Sequence, residues 1–146
     1  AIKKRAENKA MIVLLDHPGK LDLYVEEVPE LAWDLIELSD KPLTIIYQGA
    51  KNLAANLIAE DGSVAIRITR EQFSQSLCQS FRKAIVSTSA NISGTPAPAS
   101  FRDISAEIIS AVDYVVDYRR NEPAGKAKPS SIISLGNKGE IKIIRP

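Results

Sequence analysis

Two short polar stretches have residue types and spacing suited to binding a phosphorylated molecule. The first is Lys3-Lys4-Arg5, with Lys9 four residues further on. In an extended backbone Lys3 and Arg5 point to the same side, because strand side chains alternate with a period of two. Lysine supplies a point charge and arginine a planar fork of donors, and both suit polyphosphate oxygens. Any basic terminus looks similar, so this spacing is not specific by itself.

The second stretch is a predicted loop over residues 87–98, which follows a short apolar run. It begins Ser87-Thr88-Ser89-Ala90-Asn91-Ile92-Ser93-Gly94. Small side chains let backbone N–H groups approach an anion, and the hydroxyls and the amide add donors. Serine, asparagine and glycine also dominate ordinary turns. The composition therefore fits an anion-binding loop and a simple polar turn equally well.

Several common catalytic and metal sites are excluded. The chain has one histidine, His17, and one cysteine, Cys78, so a transition-metal site and an internal disulfide both lack partners. A Ser–His–Asp triad would have to use His17, which stands beside Pro18-Gly19 in a predicted turn without a nucleophile motif nearby. The motifs GxxxxGK[ST], GxGxxG and HExxH do not occur.

The length and composition are those of one folded domain. The chain has 146 residues, of which 45% are hydrophobic and 25% charged, and this balance argues against intrinsic disorder. No apolar run approaches the roughly 18–20 residues of a membrane span. No leader-like segment is visible, so we expect a cytoplasmic protein without a membrane partner.

The net charge of +1 hides an uneven distribution. Between residues 16 and 40 there are eight acidic residues and one lysine, so this segment carries −7 and the rest of the chain +8. A second basic cluster, besides the one at Lys3-Lys4-Arg5, consists of Arg119, Arg120, Lys126 and Lys128. The two clusters either converge on one anion in the fold or remain solvated surface charge.

Apolar periodicity and turn residues predict an α/β domain with a mixed sheet. Predicted strands cover residues 10–15, 42–48, 63–69, 85–87, 112–117, 131–135 and 141–144. Predicted helices cover residues 29–38, with Pro29 in the first helical position, 71–83 and 101–111. Residues 52–58 fit either a short helix or a loop, and residues 136–139 close a hairpin. On the helix of residues 71–83 the apolar face is predicted to include Phe73, Leu77, Cys78 and Phe81, which would bury the thiol.

Taken together, these stretches resemble the threonylcarbamoyl-AMP synthase family, whose domain is called YrdC-like. That family carries a K-x-R element followed far downstream by S-x-N, matched here by Lys3-Lys4-Arg5 and Ser89-Ala90-Asn91. GSVAIRI, VSTSANISG, KPSSII and the terminal IKIIRP also resemble the family, in the same order along the chain. A PTDTVYGL-like upstream segment has no counterpart, so a single YrdC-like domain over residues 1–146, incomplete at its N-terminus, is expected. Thr69-Arg70 also departs from the family, whose members often carry a proline there.

The resemblance implies a reaction and a fold. The enzyme would convert ATP, L-threonine and bicarbonate or CO2 into L-threonylcarbamoyl-adenylate and pyrophosphate, with Mg²⁺ accompanying the triphosphate. A downstream threonylcarbamoyl-transferase complex would then modify an adenosine in tRNA, and tRNA or double-stranded RNA is left open as a further partner. The fold would be a twisted mixed sheet with flanking helices and a concave basic cavity, with the acidic segment of residues 16–40 largely outside it.

The resemblance also implies roles for individual residues. A carbamate is a weak nucleophile that the triphosphate repels, so catalysis should consist mainly of positioning and charge neutralisation. The expected catalytic residues are Lys3, Arg5, Ser89 and Asn91. The expected substrate- or nucleotide-binding residues are Lys9, Arg67, Ser87, Thr88, Ser131 and Arg145, and no metal ligand is identified.

Two alternatives remain open at this stage. An RNA-binding module would use a basic concave surface, although an aromatic content of 5% disfavours stacking of single-stranded bases. A non-catalytic paralogue would keep the fold without the reaction, because a fold does not by itself fix a function.

Overall fold

The computed structural model describes residues 11–125 and 129–146. These residues form two units, one of residues 11–87 and 129–146 and a smaller one of residues 88–125. The six strands among the described residues all lie in the larger unit. No helix in the described part of the chain is long and apolar enough to cross a membrane.

The larger unit is built on a mixed six-stranded sheet. Its strands are β1 (Ile12–Leu15), β2 (Leu43–Tyr47), β3 (Val64–Ile68), β4 (Ile85–Ser87), β5 (Ser131–Leu135) and β6 (Ile141–Arg145). Their order is β4-β1-β3-β2-β5-β6, with β1–β3 and β2–β5 parallel and the other neighbours antiparallel. The predicted mixed sheet and its final hairpin are confirmed.

The alternation of side chains along β2 and β3 determines which residues can form a site. Thr44 is paired with Arg67, and Ile45 is paired with Ile66. Because neighbouring strand residues point to opposite faces, Thr44 and Arg67 share one face. Ile45 and Ile66 share the other face, which belongs to the hydrophobic core.

Two α-helices accompany the sheet in the described part of the larger unit, together with the 3₁₀ helices Pro18–Leu23 and Ala55–Leu57. Helix α1 spans Glu30–Leu38, and Pro29 precedes it as the cap instead of occupying the predicted first helical position. Helix α2 spans Gln72–Phe81, and the Glu71 side chain accepts hydrogen bonds from the backbone N–H groups of its first turn. Leu77 and Phe81 are exposed, so the predicted apolar face of this helix is only partly buried.

The core of the larger unit lies between the sheet and its helices. It consists of Val13, Leu15, Leu21, Val25, Ala32, Ile45, Tyr47, Leu57, Val64, Ile66 and Leu135. Substituting Leu135, which is fully buried on β5, by alanine should lower the free energy of unfolding by about 2–5 kcal/mol. Urea denaturation followed by circular dichroism measures this change. Leu38→Ala, at an 83% exposed position on α1, is the control and should change it by less than about 0.5 kcal/mol.

The buried thiol predicted from the sequence is confirmed. Cys78 on α2 is fully buried, with Sγ 3.8 Å from the carbonyl oxygen of Leu14. Burial raises the pKa of the Cys78 thiol above 9.0, and the nearby charge of Asp16 adds to this shift. We therefore expect no reaction with Ellman's reagent in the folded protein and full reaction in urea.

The raised thiol pKa also has a consequence for stability. Well below pH 9.0 the thiol is protonated in both the folded and the unfolded state, so its contribution to stability is fully present. As the pH rises above this value the unfolded chain loses its proton first, and the wild type should lose stability relative to Cys78→Ala. Equal pH profiles of unfolding for the two proteins between about pH 8 and pH 10 would contradict this expectation.

The smaller unit corrects two predictions. Residues 101–111 do not form one helix but a 3₁₀ turn, Phe101–Asp103, followed by α3, Ala106–Ala111. Residues 112–117 are not a strand. The carbonyl oxygens of Val115 and Val116 instead accept hydrogen bonds from the Arg120 side chain, at 2.7 and 3.0 Å, so a side chain takes the place of a neighbouring strand.

The arginines of the second basic cluster are engaged within this smaller unit. Arg119 makes two hydrogen bonds of 2.6 Å to the carboxylate of Glu122. Arg120 also lies 5.1 Å from the ring centre of Phe101, in a cation–π contact. Lys126 and Lys128 lie outside the described residues.

Candidate functional site

Three of the predicted site residues cannot be located. Lys3, Arg5 and Lys9 lie outside the described residues, so their proposed contact with phosphates stays a prediction. The other predicted residues fall into two groups. Arg67, Ser131 and Arg145 belong to the larger unit. The loop from Ser87 to Asn91 begins at the end of the first segment of that unit and continues in the smaller unit.

A polar cluster in the larger unit contains two of the predicted arginines. Thr44 Oγ1 and Ser130 Oγ, both buried, are hydrogen-bonded at 2.8 Å. Arg145 donates from Nε and Nη2 to the carbonyl oxygen of Ser130, at 2.9 and 2.7 Å. Its Nη2 also lies 3.4 Å from Ser130 Oγ. The cluster therefore fixes the guanidinium plane of Arg145 against β2 and the start of β5.

Arg67 adds a second positive charge to this cluster. Burial lowers the pKa of Arg67, and the positive charge of Arg145 lowers it further. Arginine nevertheless stays protonated in proteins, so the guanidinium groups of Arg67 and Arg145 are two positive charges close to each other. Within residues 11–125 and 129–146 neither guanidinium forms an ion pair with a carboxylate. Two adjacent, partly buried arginines without an acidic partner are suited to an anionic ligand.

The sequence did not point to Thr44 or Ser130. It pointed to Ser131, which lies in β5 and donates its backbone N–H to the carbonyl oxygen of Pro42 at 3.0 Å. The hydroxyl that reaches the arginine cluster belongs instead to its neighbour Ser130. A polar residue between Leu43 and Ile45 in an otherwise apolar strand was the available signal for Thr44.

The loop after β4 is organised by the side chain of Asn91. Its Nδ2 donates to the carbonyl oxygens of Ile92, at 3.2 Å, and Thr95, at 2.6 Å. Thr95 Oγ1 also donates to Ile92, at 2.7 Å, and Gly94 takes a left-handed φ of 91° that favours glycine. Of the other loop candidates, Ser87 ends β4, and Thr88 and Ser89 follow it in exposed positions.

The orientation of the Asn91 amide leaves one acceptor unused. Turning the amide over would place Oδ1 against two carbonyl oxygens, so the hydrogen bonds fix Nδ2 on that side. Oδ1 is then buried, and no group in the described ranges donates to it. An orphaned buried acceptor costs about 1–3 kcal/mol. A ligand group that carries a hydrogen-bond donor would remove this cost.

A cavity of about 360 Å³ lies in the larger unit between α1, β2 and β3. Its charged lining residues are of both signs: Asp40, Lys41, Arg67, Arg70 and Glu71. Of the eight acidic residues between positions 16 and 40, Asp40 is the one that lines this cavity. The concave basic cavity expected from the family resemblance stays a prediction. Groups of three or more potential metal ligands are absent from the described part of the chain.

Comparison with known proteins identifies the fold and the family. A family model described as Sua5/YciO/YrdC, telomere recombination, matches residues 1–146. The chain belongs to this family. A threonylcarbamoyl-AMP synthase of Pseudoalteromonas translucida is 32% identical over 136 residues, which are 90% of this chain and 71% of that protein. A putative threonylcarbamoyl-AMP synthase of Methanocaldococcus jannaschii is 31% identical over 143 residues, 97% of this chain and 65% of that protein.

Solved structures of the Sua5/YciO/YrdC family share the fold. Sua5 of P. abyssi, as an H234A/Y235A variant, superposes with a TM-score of 0.83 at 22% identity, over 99% of this chain and 44% of that one. A complex of P. abyssi Sua5 with L-threonine gives 0.79 at 22% identity, over 92% of this chain and 39% of that one. YciO of E. coli superposes with a TM-score of 0.73 at 18% identity, over 99% of this chain and 68% of the YciO chain. This chain thus spans less than half the length of the Sua5 chains.

Proposed function

We propose that this protein makes L-threonylcarbamoyl-adenylate from L-threonine, bicarbonate or CO2 and ATP, and releases pyrophosphate. The observation that carries the proposal is the 32% identity with a threonylcarbamoyl-AMP synthase over 90% of this chain. Arg67 and Arg145, which form no ion pair with a carboxylate within residues 11–125 and 129–146, support it, because ATP and bicarbonate are anions and L-threonine carries a carboxylate.

The proposed reaction has two steps. The threonine amine forms an N–C bond to CO2 and loses a proton, which gives a carbamate. A carbamate oxygen then attacks the α-phosphorus of ATP while the bond to the β-phosphate bridging oxygen breaks, and pyrophosphate leaves with that electron pair. Both partners in the second step are negatively charged. Neutralisation and positioning by fixed cations are therefore the main contributions expected from the protein.

The geometry suggests distinct roles for the two groups of residues. We assign Arg67 and Arg145 to anionic groups, either the threonine carboxylate or phosphate oxygens. The Nδ2 group of Asn91 already donates to the carbonyl oxygens of Ile92 and Thr95, so the atom left for a ligand is the acceptor Oδ1. This acceptor suits a donor group of the substrate, such as a hydroxyl or the carbamate N–H. This favours the threonine–carbamate end over phosphate for Asn91.

The remaining assignments follow the family resemblance. Lys3, Arg5 and Lys9 are proposed to hold phosphates, and Ser87, Thr88, Ser89 and Ser131 to line the substrates. Mg²⁺ would arrive with the triphosphate of ATP. The described residues contain no group of three or more potential metal ligands, and no step is assigned to the ion. Transfer of the product to tRNA would fall to a separate transferase complex.

Pyrophosphate release tests the proposal directly. The purified chain is incubated with ATP, Mg²⁺, L-threonine and bicarbonate, and pyrophosphate is measured with a coupled enzyme. We expect release only when both L-threonine and bicarbonate are present, and formation of threonylcarbamoyl-adenylate by mass spectrometry. Release that does not depend on threonine would overturn the assignment. D-threonine in place of L-threonine serves as the stereochemical control.

A further inference from the structure

The cavity between α1, β2 and β3 has features of a binding site that the proposed reaction does not use. Its volume of about 360 Å³ lies within the range of small-molecule sites. Its apolar walls come from α1 and from the core-facing residues of both strands, namely Ile36, Leu43, Ile45, Ile66 and Ile68. Thr44, Ser130 and Arg145 do not line it, and Arg67 is the residue shared with the arginine cluster.

Tyr47 provides a hydrogen-bonding group in this apolar lining. Its side chain is 1% exposed and lines the cavity. Across residues 11–125 and 129–146 no group forms a hydrogen bond with its hydroxyl, which, unlike Asn91 Oδ1, is not completely shielded from solvent. Burial raises the pKa of Tyr47, so the phenol stays protonated and can donate. Among the core-facing residues of the cavity, Tyr47 therefore presents a donor without an acceptor.

We propose that this cavity binds a small neutral organic molecule with an apolar body and one carbonyl-type acceptor, which receives a hydrogen bond from Tyr47. The molecule should be neutral, because the charged residues of the lining are of both signs, and burying an ionised group among the aliphatic side chains beside Tyr47 costs more than one phenol hydrogen bond returns. It should be small, because a helix with side chains is about 10–12 Å wide, and one turn of such a cylinder already exceeds this volume. The proposal goes beyond the threonylcarbamoylation reaction, with whose assigned residues the cavity shares only Arg67.

The test compares two probes of similar shape. Acetophenone carries the carbonyl acceptor, and ethylbenzene lacks it. The ¹⁵N-labelled full chain is titrated with each probe, and amide chemical shifts report the position and strength of binding. We expect saturable shifts at the cavity lining with dissociation constants of about 1 mM, as is typical of ligands this small. Tyr47→Phe should weaken acetophenone about 3- to 10-fold and leave ethylbenzene within about twofold.

Tyr47→Phe should fold normally, because the change removes no hydrogen bond from the folded protein. A second variant, Ile36→Phe, fills the cavity from α1 and should abolish binding of both probes. Leu38→Phe, on the same helix at an 83% exposed position, is its matched control and should bind like the wild type. Absence of saturable binding overturns the proposal. So do shifts confined to other surfaces, equal acetophenone affinity in Tyr47→Phe, or a cavity that proves to be filled by side chains of another polypeptide segment.

Discussion

Arg67→Met is expected to lower the rate of pyrophosphate release about 10²- to 10³-fold while raising the stability of the folded protein. The rate falls because a fixed cation no longer neutralises an anionic substrate group. The stability rises by about 1 kcal/mol because the change removes a partly buried charge next to Arg145 that has no described acidic partner. Steady-state pyrophosphate assays and urea denaturation of the same preparations measure the two effects.

Arg70→Met is a matched control three residues further along the chain. Arg70 is exposed, and its guanidinium donates to the carbonyl oxygens of Ile36 and Ser39 near the end of α1. Its removal should therefore lower stability slightly and leave the rate within about threefold. If Arg67→Met raises the free energy of unfolding and Arg70→Met lowers it, then Arg67 serves ligand binding and Arg70 stabilises the fold. If Arg67→Met destabilised the protein and kept its rate, Arg67 would be structural.

The larger unit could be predicted well from the sequence because its strands are short and strongly patterned. The alternation in Val64–Ile68 and the glycine-containing turn before Ile141–Arg145 each indicated the element that forms. Residues 112–117 have the same apolar character and were wrongly predicted as a strand. A strand needs a neighbouring backbone, and here the Arg120 side chain occupies the carbonyls that such a neighbour would use. The sequence of residues 112–117 alone does not show that the Arg120 side chain will bind these carbonyl groups.

The candidate site was only partly predictable for a similar reason. Arg67 and Arg145 were expected from the family resemblance of GSVAIRI and IKIIRP, and the structure brings them near one another. Thr44 and Ser130 lie 86 residues apart and became visible only through their mutual hydrogen bond. The unused acceptor of Asn91 likewise depends on which amide atom faces Ile92 and Thr95, and sequence spacing does not determine that orientation.

Asn91→Ala is expected to reduce kcat/KM for L-threonine about 10²- to 10³-fold. The variant loses the buried Oδ1 acceptor that we assign to a donor group of the substrate, and a preorganised contact of this kind has an effect of that size. It also loses two loop hydrogen bonds, but removal of the orphaned Oδ1 offsets much of that loss, so the free energy of unfolding should fall by no more than about 1 kcal/mol. Substrate titrations at saturating ATP, together with thermal unfolding, measure both quantities.

Thr95→Ala distinguishes loss of the acceptor from loosening of the loop. It removes the hydrogen bond from Thr95 Oγ1 to the carbonyl oxygen of Ile92 but keeps the backbone carbonyl that binds Asn91 Nδ2. If the acceptor matters, Thr95→Ala should lose stability of a similar order and retain kcat/KM within about threefold. Equal losses of activity in the two variants would mean that loop rigidity, not the Oδ1 contact, limits the reaction. Because the two substitutions perturb the same turn, only the activity difference between them reports on the asparagine acceptor.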